Sequence, residues 1–177
     1  RKRIGFVPQK SSLFSGTIES NLRFGNENAP EELLYKAAEI AQATEFIEAK
    51  PEKMNAEISQ GGTNVSGGQK QRLSIARALV KQAPINIFDD SFSALDFKTD
   101  AALRQALKQQ ATPGTLLLVT QRVASSMNAD QIIVLDEGRI LGKGKHQDLM
   151  KTCQFTQHTA LSTLNIIHIA LTQKPKK

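Results

Sequence analysis

The hydrophobic and polar positions change period several times along the chain. Ile4-Gly5-Phe6-Val7 is a short apolar run halted by Pro8, and it predicts a strand followed by a loop through Gln9, Lys10, Ser11 and Ser12. From about Thr17 to Lys53 the spacing is helical: Pro30, Glu31 and Glu32 supply an acidic first turn, and Leu33, Leu34, Ala37, Ala38, Ile40 and Ala41 mark one apolar face. Residues 58 to 65 are polar and Gly-rich, hence a loop. Ser66 opens a helix running to about Lys81, with Leu73, Ala76 and Val80 on one stripe and Ile75 and Leu79 beside it. Three short apolar runs follow, Ile85 to Phe88, Leu116 to Val119 and Ile132 to Leu135, alternating with helical stretches near 98–110 and 122–128. That alternation predicts a parallel sheet covered on both faces. Asp136-Glu137-Gly138 is a tight-turn signal leading into Arg139 to Leu141, so the last two strands are expected to form a hairpin. The chain has no internal repeat and no low-complexity segment.

Composition adjusts this picture in a few places. With 177 residues, 40% of them hydrophobic, the chain has material for one domain with a real core. The net charge of +6 suggests nucleic acid or an anionic membrane as partner only until it is located. Arg1, Lys2, Arg3, Lys174, Lys176 and Lys177 carry all of it, and the stretch between them is formally neutral. Cys153 is the single cysteine, which excludes a disulfide framework and a four-thiolate metal site and fits a reducing, cytosolic setting. The longest apolar candidate for a membrane span, Leu161 to Leu171, is too short and contains Asn165 and His168. The chain opens on Arg with no apolar signal segment, so it reads as a piece of something longer.

Two segments carry candidate chemistry. Ser66-Gly67-Gly68-Gln69 stands at the start of a long amphipathic helix; as a capping box it needs Ser66 and Gln69 but not two glycines. Adjacent glycines let backbone amides approach an anion at the positive end of a helix. Asp89 and Asp90 end the strand that starts at Ile85, and Ser93-Ala94-Leu95-Asp96 follows. Paired acids at a strand end are otherwise a common solvated turn. At the carboxyl edge of a parallel sheet, however, one such carboxylate can hold Mg²⁺ and the next can polarise an attacking water.

Taken together, these residues resemble the greater part of an ATP-binding cassette (ABC) transporter nucleotide-binding domain of the exporter type, over about residues 4 to 152. Val7-Pro8-Gln9 is similar to the Q-loop, and Leu13-Phe14-Ser15-Gly16-Thr17-Ile18 with Asn21 and Gly25 to the exporter segment after it. Val65 to Gln69 with Gln71, Arg72 and Ala76-Arg77-Ala78-Leu79 resembles the signature motif. Asp89 falls at the Walker B aspartate, Ser93 to Asp96 at the D-loop, and Thr120-Gln121-Arg122 at the switch loop. The resemblance implies an α/β fold: an incomplete P-loop NTPase (RecA-like) parallel sheet with an inserted α-helical subdomain. It divides the chain into residues 1–9 (end of the first part of the core, with the Q-loop), 10–82 (helical subdomain), 83–152 (rest of the core) and 153–177 (a divergent tail).

The cofactors so implied are ATP and Mg²⁺, with Gln9 and Asp89 on the metal. Gln9, Ser66, Gly67, Gly68, Gln69 and Asp96 would contact nucleotide, and Asp90 and Gln121 would stand at the hydrolytic positions. Cassettes of the family pair head to tail, so the implied partners are a second nucleotide-binding domain and the coupling helices of a transmembrane domain, at the cytoplasmic face of a membrane; nucleic acid is not among them.

Three departures qualify the resemblance. Asp90 stands where the family has a catalytic Glu, and Gln121 where it has a His. Asp has about 1.5 Å less reach, a misplacement on the order of 1 Å can cost about a hundredfold in rate, and Gln cannot carry imidazolium charge. No Gly-x4-Gly-Lys-Ser/Thr occurs, and Gly138-Arg-Ile-Leu-Gly142-Lys143 has the wrong spacing. That loop and the strand it follows are expected upstream of Arg1. From about Phe155 the tail departs from the family altogether. A shifted reading frame or a poorly packed terminal helix is expected there, ahead of a membrane-surface helix or a His158–His168 metal pair. The first departure, Asp90 and Gln121 beside an intact signature, implies the degenerate-site half of a heterodimeric, often multidrug, exporter. An inactive truncated product is the main alternative, and a structural-maintenance-type DNA ATPase and a soluble importer ATPase are disfavoured by Leu13 to Gly25.

Overall fold

The computed structural model describes residues 3–110, 114–152 and 167–173. In chain order the elements are β1 (Ile4–Val7), β2 (Gly16–Thr17), α1 (Ile18–Arg23), α2 (Glu31–Ile40), α3 (Thr44–Glu48), β3 (Glu57–Ile58), α4 (Gly67–Val80), β4 (Ile85–Asp89), α5 (Phe97–Gln110), β5 (Thr115–Thr120), α6 (Val123–Ser126), β6 (Gln131–Asp136), β7 (Arg139–Gly144), α7 (His146–Thr152) and β8 (Ile167–Gln173). Every strand and hairpin expected before residue 152 forms. The long helical pattern of residues 17–53 is broken into α1, α2 and α3, and no residue from 41 to 43 is helical. Gln42, with φ 58°, makes the break between α2 and α3.

The main sheet has the order β1-β4-β5-β8-β6-β7. β1, β4 and β5 are parallel, with Phe6 opposite Ile87 and Ile87 opposite Leu117. β8 is antiparallel to both β5 and β6, so β5 and β6 run the same way with β8 reversed between them. β7 returns from β6 across the turn at Glu137 and Gly138, both at positive φ, with a bulge between Val134 and Leu135. The tail is therefore corrected from a poorly packed helix to a strand, at least over residues 167–173. Ile169 stands in register with Val119 on one side and Ile133 on the other, an alternation of β-branched residues that suits a strand better than a helix. His158 lies outside the described residues.

The core lies on one face of this sheet. Gly5, Val7, Phe88 and Leu118 point to it, and one apolar cluster continues from them through Leu22, Leu34, Leu73 and Ile75 to Leu103 of α5. Leu149 of α7 packs on Ile132 and Val134 of the same face. The opposite face is open among the described residues: Ile4, Phe6 and Ile85 are 36, 55 and 39% exposed, and Ile87, Leu117, Val119, Ile133 and Ile169 are half-buried. The expectation of a sheet covered on both faces is corrected accordingly. The period-2 alternation fixes which residues face away from the helices but not whether anything covers them.

Two glycines set the spacing of the helices. A Cβ on Gly25 would lie 2.1 Å from the Arg77 carbonyl oxygen, so the turn after α1 packs directly on the α4 backbone. A Cβ on Gly5 would meet Asn86 Oδ1 at 2.2 Å and the Ala78 carbonyl at 3.2 Å, where α4 crosses β1. No helix of the described residues is long and apolar enough to cross a membrane.

Candidate functional site

The carboxyl ends of β1, β4 and β5 lie side by side, which places Gln9, Asp89, Asp90 and Gln121 along one sheet edge. Gln9 Nε2 donates to Asp90 Oδ2 at 3.4 Å. Asp90 adopts φ 42°, and its amide donates to the Val119 carbonyl at 2.9 Å, so the chain leaves β4 in a tight turn held to β5. A left-handed non-glycine residue is uncommon, and Asp is among the types that tolerate it because its short side chain bonds locally. Ser91 anchors the same turn from below: its buried hydroxyl donates to the Val7 carbonyl at 3.1 Å and the Asp89 carbonyl at 3.2 Å. No described residue donates a hydrogen bond to the half-buried Asp89 carboxylate.

The loop after Asp90 is tied to the segment after β5. Ser93 Oγ donates to the Asp90 carbonyl at 2.8 Å. Arg122, immediately after the exposed Gln121, donates from Nη2 to the Ser93 carbonyl at 3.0 Å and reaches the buried Asp100 at 3.8 Å. Arg104 grips the same carboxylate at 3.0 and 3.3 Å and donates from Nη1 to the Ala124 carbonyl at 2.6 Å. Asp100 thus joins α5, the segment after β5 and α6 through two guanidinium groups. The Arg122 guanidinium lies 5.6 Å from the centroid of the exposed Phe97 ring. Asp96 caps α5: its carboxylate accepts from the Thr99 amide at 2.9 Å and the Thr99 hydroxyl at 2.7 Å, which hold its pKa below the usual carboxylate value.

At the start of α4 the capping box is fully formed. The Gln69 amide donates to Ser66 Oγ at 3.2 Å, and the Ser66 amide donates to Gln69 Oε1 at 3.0 Å. The side chains of Ser66 and Gln69 thus satisfy each other, while Gly67 faces open space and a Cβ on it would meet nothing within 4 Å. A Cβ on Gly68 would sit 3.4 Å from the Ala94 carbonyl, so this helix start abuts the loop of Ser93 to Asp96. Arg72 and Arg77 anchor the rest of α4. Arg72 donates to the Gln42 carbonyl at 2.8 Å and Arg77 to the Ser12 carbonyl at 2.8 Å, each beside an aromatic ring, and burial lowers the pKa of both.

The structure therefore brings Gln9, Asp89, Asp90 and Gln121 to one edge and places Ser66, Gly67, Gly68 and Gln69 at a helix start beside the loop that ends in Asp96. Sequence reasoning passed over Ser91, Asp100 and the tether role of Arg122. Only Arg122 had a signal, its place beside Gln121; Ser91 and Asp100 act through contacts that no local pattern encodes. As hard oxygen donors, the Asp89 carboxylate and the Gln9 side-chain oxygen suit Mg²⁺, which is commonly held by one or two carboxylates plus phosphate oxygens. No cluster of three or more His, Cys, Asp or Glu suited to a metal occurs among the described residues. The phosphate cradle itself has no counterpart in this sequence.

The model of the ABC transporter family matches residues 1–93. An uncharacterised ABC transporter ATP-binding protein of Mycobacterium tuberculosis is 44% identical over 153 residues, covering 85% of this chain and 26% of its own length. The ATP-dependent lipid A-core flippase of Chromobacterium violaceum is 39% identical over 151 residues, 85% of this chain and 26% of the flippase. A bacterial Atm1-family ABC exporter solved with ATP bound superposes with a TM-score of 0.87 at 35% identity, over 91% of this chain and 28% of that one. The chain thus spans about a quarter of the length of these relatives.

Proposed function

The chain belongs to the ABC transporter family, and from that membership we propose that it is part of the ATP-binding subunit of an exporter, the half whose own site hydrolyses poorly while its signature serves a partner. The observation that carries this is the contrast between the two halves of the site. The helix start at Ser66 is complete, capped and open at Gly67, whereas the hydrolytic positions hold Asp90 and Gln121. Residues 10–82 are the helical subdomain that presents this signature, and residues 83–152 continue the ATPase core.

In this reading Gln9 and Asp89 hold Mg²⁺, and Asp96 and the signature contact nucleotide across a cassette pair. MgATP supplies the phosphoryl group whose transfer to water drives transport. Asp90 accepts the Gln9 amide at 3.4 Å, so part of its hydrogen-bonding capacity is engaged within the chain. From a shortened side chain its remaining oxygen is poorly placed to take a proton from water. Gln121, exposed at the end of β5, can donate a hydrogen bond to a phosphate but brings no charge. The open sheet face and the absent phosphate loop fit a chain that works inside a larger polypeptide, at the cytoplasmic face of a membrane, with a second nucleotide-binding domain and transmembrane coupling helices as partners. The test is ATP turnover in the assembled transporter whose partner carries a substituted catalytic Glu. Asp90→Glu combined with Gln121→His is expected to raise turnover, and unchanged turnover contradicts the proposal.

A further inference from the structure

A reversed strand in the middle of a parallel sheet needs a reason. β5 and β6 are parallel six-residue strands joined through α6, and the crossover leaves one strand position between them. At about 4.8 Å per strand, β5 and β6 are too far apart to bond each other, so an empty position leaves two rows of interior backbone groups without partners. The seven-residue β8 fills it, with Leu118 opposite Ala170 and Ala170 opposite Ile132.

The same position is the one a phosphate loop would need. Such a loop follows a strand and precedes a helix, and to meet Asp89 and Gln121 it must emerge at their edge of the sheet. Its strand must therefore run parallel to β4 and β5 and end beside Gln121. β4 already has β1 and β5 as neighbours, and the next position past β5 is the one β8 holds. β8 runs the other way, with its first residues opposite Thr120, and sends its carboxyl end to the far edge at Thr115.

We propose that residues 167–173 are a self-complementing strand that closes the sheet in reverse, so that residence of β8 and seating of nucleotide phosphates at Asp89 by a loop at that edge are alternatives. The exclusion rests on the nucleotide reading given above; the strand placement does not. Leu116 and Thr172 are direct register partners that line one cavity, and they suit a disulfide trap. In a full chain carrying Cys153→Ser, Leu116→Cys and Thr172→Cys, mild oxidation is expected to form an intrachain disulfide without a dimer band on a non-reducing gel. Failure to form it, or formation only between chains, overturns the placement whatever the fate of the nucleotide reading. Ile169→Pro removes one ladder donor from the middle of β8, and hydrogen exchange at 115–120 and 131–136 is expected to rise at least about tenfold while 67–80 keeps its protection. Equal protection in the variant also overturns the placement. In the assembled transporter carrying the same three substitutions, MgATP is expected to suppress formation of this disulfide. A disulfide that forms equally well with MgATP bound overturns the exclusion while leaving the strand and the nucleotide reading standing.

Discussion

On the proposed reading Asp90 and Gln121 differ from the family's Glu and His by one methylene and an imidazole, yet the neighbours of Asp90 are built with care. Ser93 and the Val119 carbonyl hold its backbone, and Ser91 ties the preceding Asp89 carbonyl to β1. On the proposed reading the site is weakened by side-chain reach and charge, not by a collapsed loop. The buried Asp100 is the other residue whose chemistry exceeds its sequence signal, since it takes two guanidinium groups from separate elements. Asp100→Asn, which keeps the shape but weakens both pairs, is expected to cost about 2 kcal/mol. At about 2–4 °C per kcal/mol for a chain of this size that is a fall in Tm of roughly 4–8 °C by calorimetry. Asp96 makes a prediction in pH. Its folded pKa is lowered, first by the Thr99 amide and then by the Thr99 hydroxyl, so its contribution is fully present above the unfolded carboxylate value near 3.9 and is lost as pH falls through the lowered folded value. An NMR titration of the Asp96 carboxyl carbon is expected to show a midpoint below that of the unfolded chain.

Elements were legible in the sequence wherever one period ran long enough to be unambiguous. α4, β4, β5, β6 and the β6–β7 hairpin follow directly from apolar spacing and turn residues. The break between α2 and α3 was hidden because the apolar face continues across Gln42, and only the backbone turn reveals it. The expectation of a terminal helix fails for β8 because its alternation at Ile167, His168 and Ile169 is too short to separate strand from helix; its pairing with β5 and β6, distant in sequence, decides it. The site was half legible in the same way: the residue types at the carboxyl edge could be named from order and spacing, while the Asp100 junction depends on α5 passing beneath the switch segment. The contact between α1 and α4 gives the test at this scale. The Gly25 position lies against the Arg77 carbonyl, a backbone group with no room to yield, so Gly25→Ala is expected to destabilise the chain by about 1–3 kcal/mol. Ser66→Ala, by contrast, removes one side of a capping box and is expected to cost about 1 kcal/mol. Urea melts of the two variants should rank in that order.

For the whole molecule, the main features are a sheet with helices on one face, apolar residues on the other that the described residues leave half-buried or exposed, and a neutral body between basic ends. A parallel sheet is normally buried on both sides. Among the described residues Ile4, Phe6 and Ile85 are left exposed on that face, and the phosphate-loop pattern has no counterpart in this sequence. The chain on its own is accordingly expected to bind MgATP no tighter than the millimolar range by calorimetry, since the metal ligands persist but the backbone cradle does not. In the proposed arrangement this cassette gives its signature to a partner while its own Asp90 and Gln121 hold turnover down, and the decisive measurement is the steady-state ATPase rate of the assembled transporter with the partner's catalytic Glu substituted. Restoring Asp90→Glu and Gln121→His should raise that rate by about a hundredfold if reach and charge are what is lacking. An unchanged rate would contradict the account.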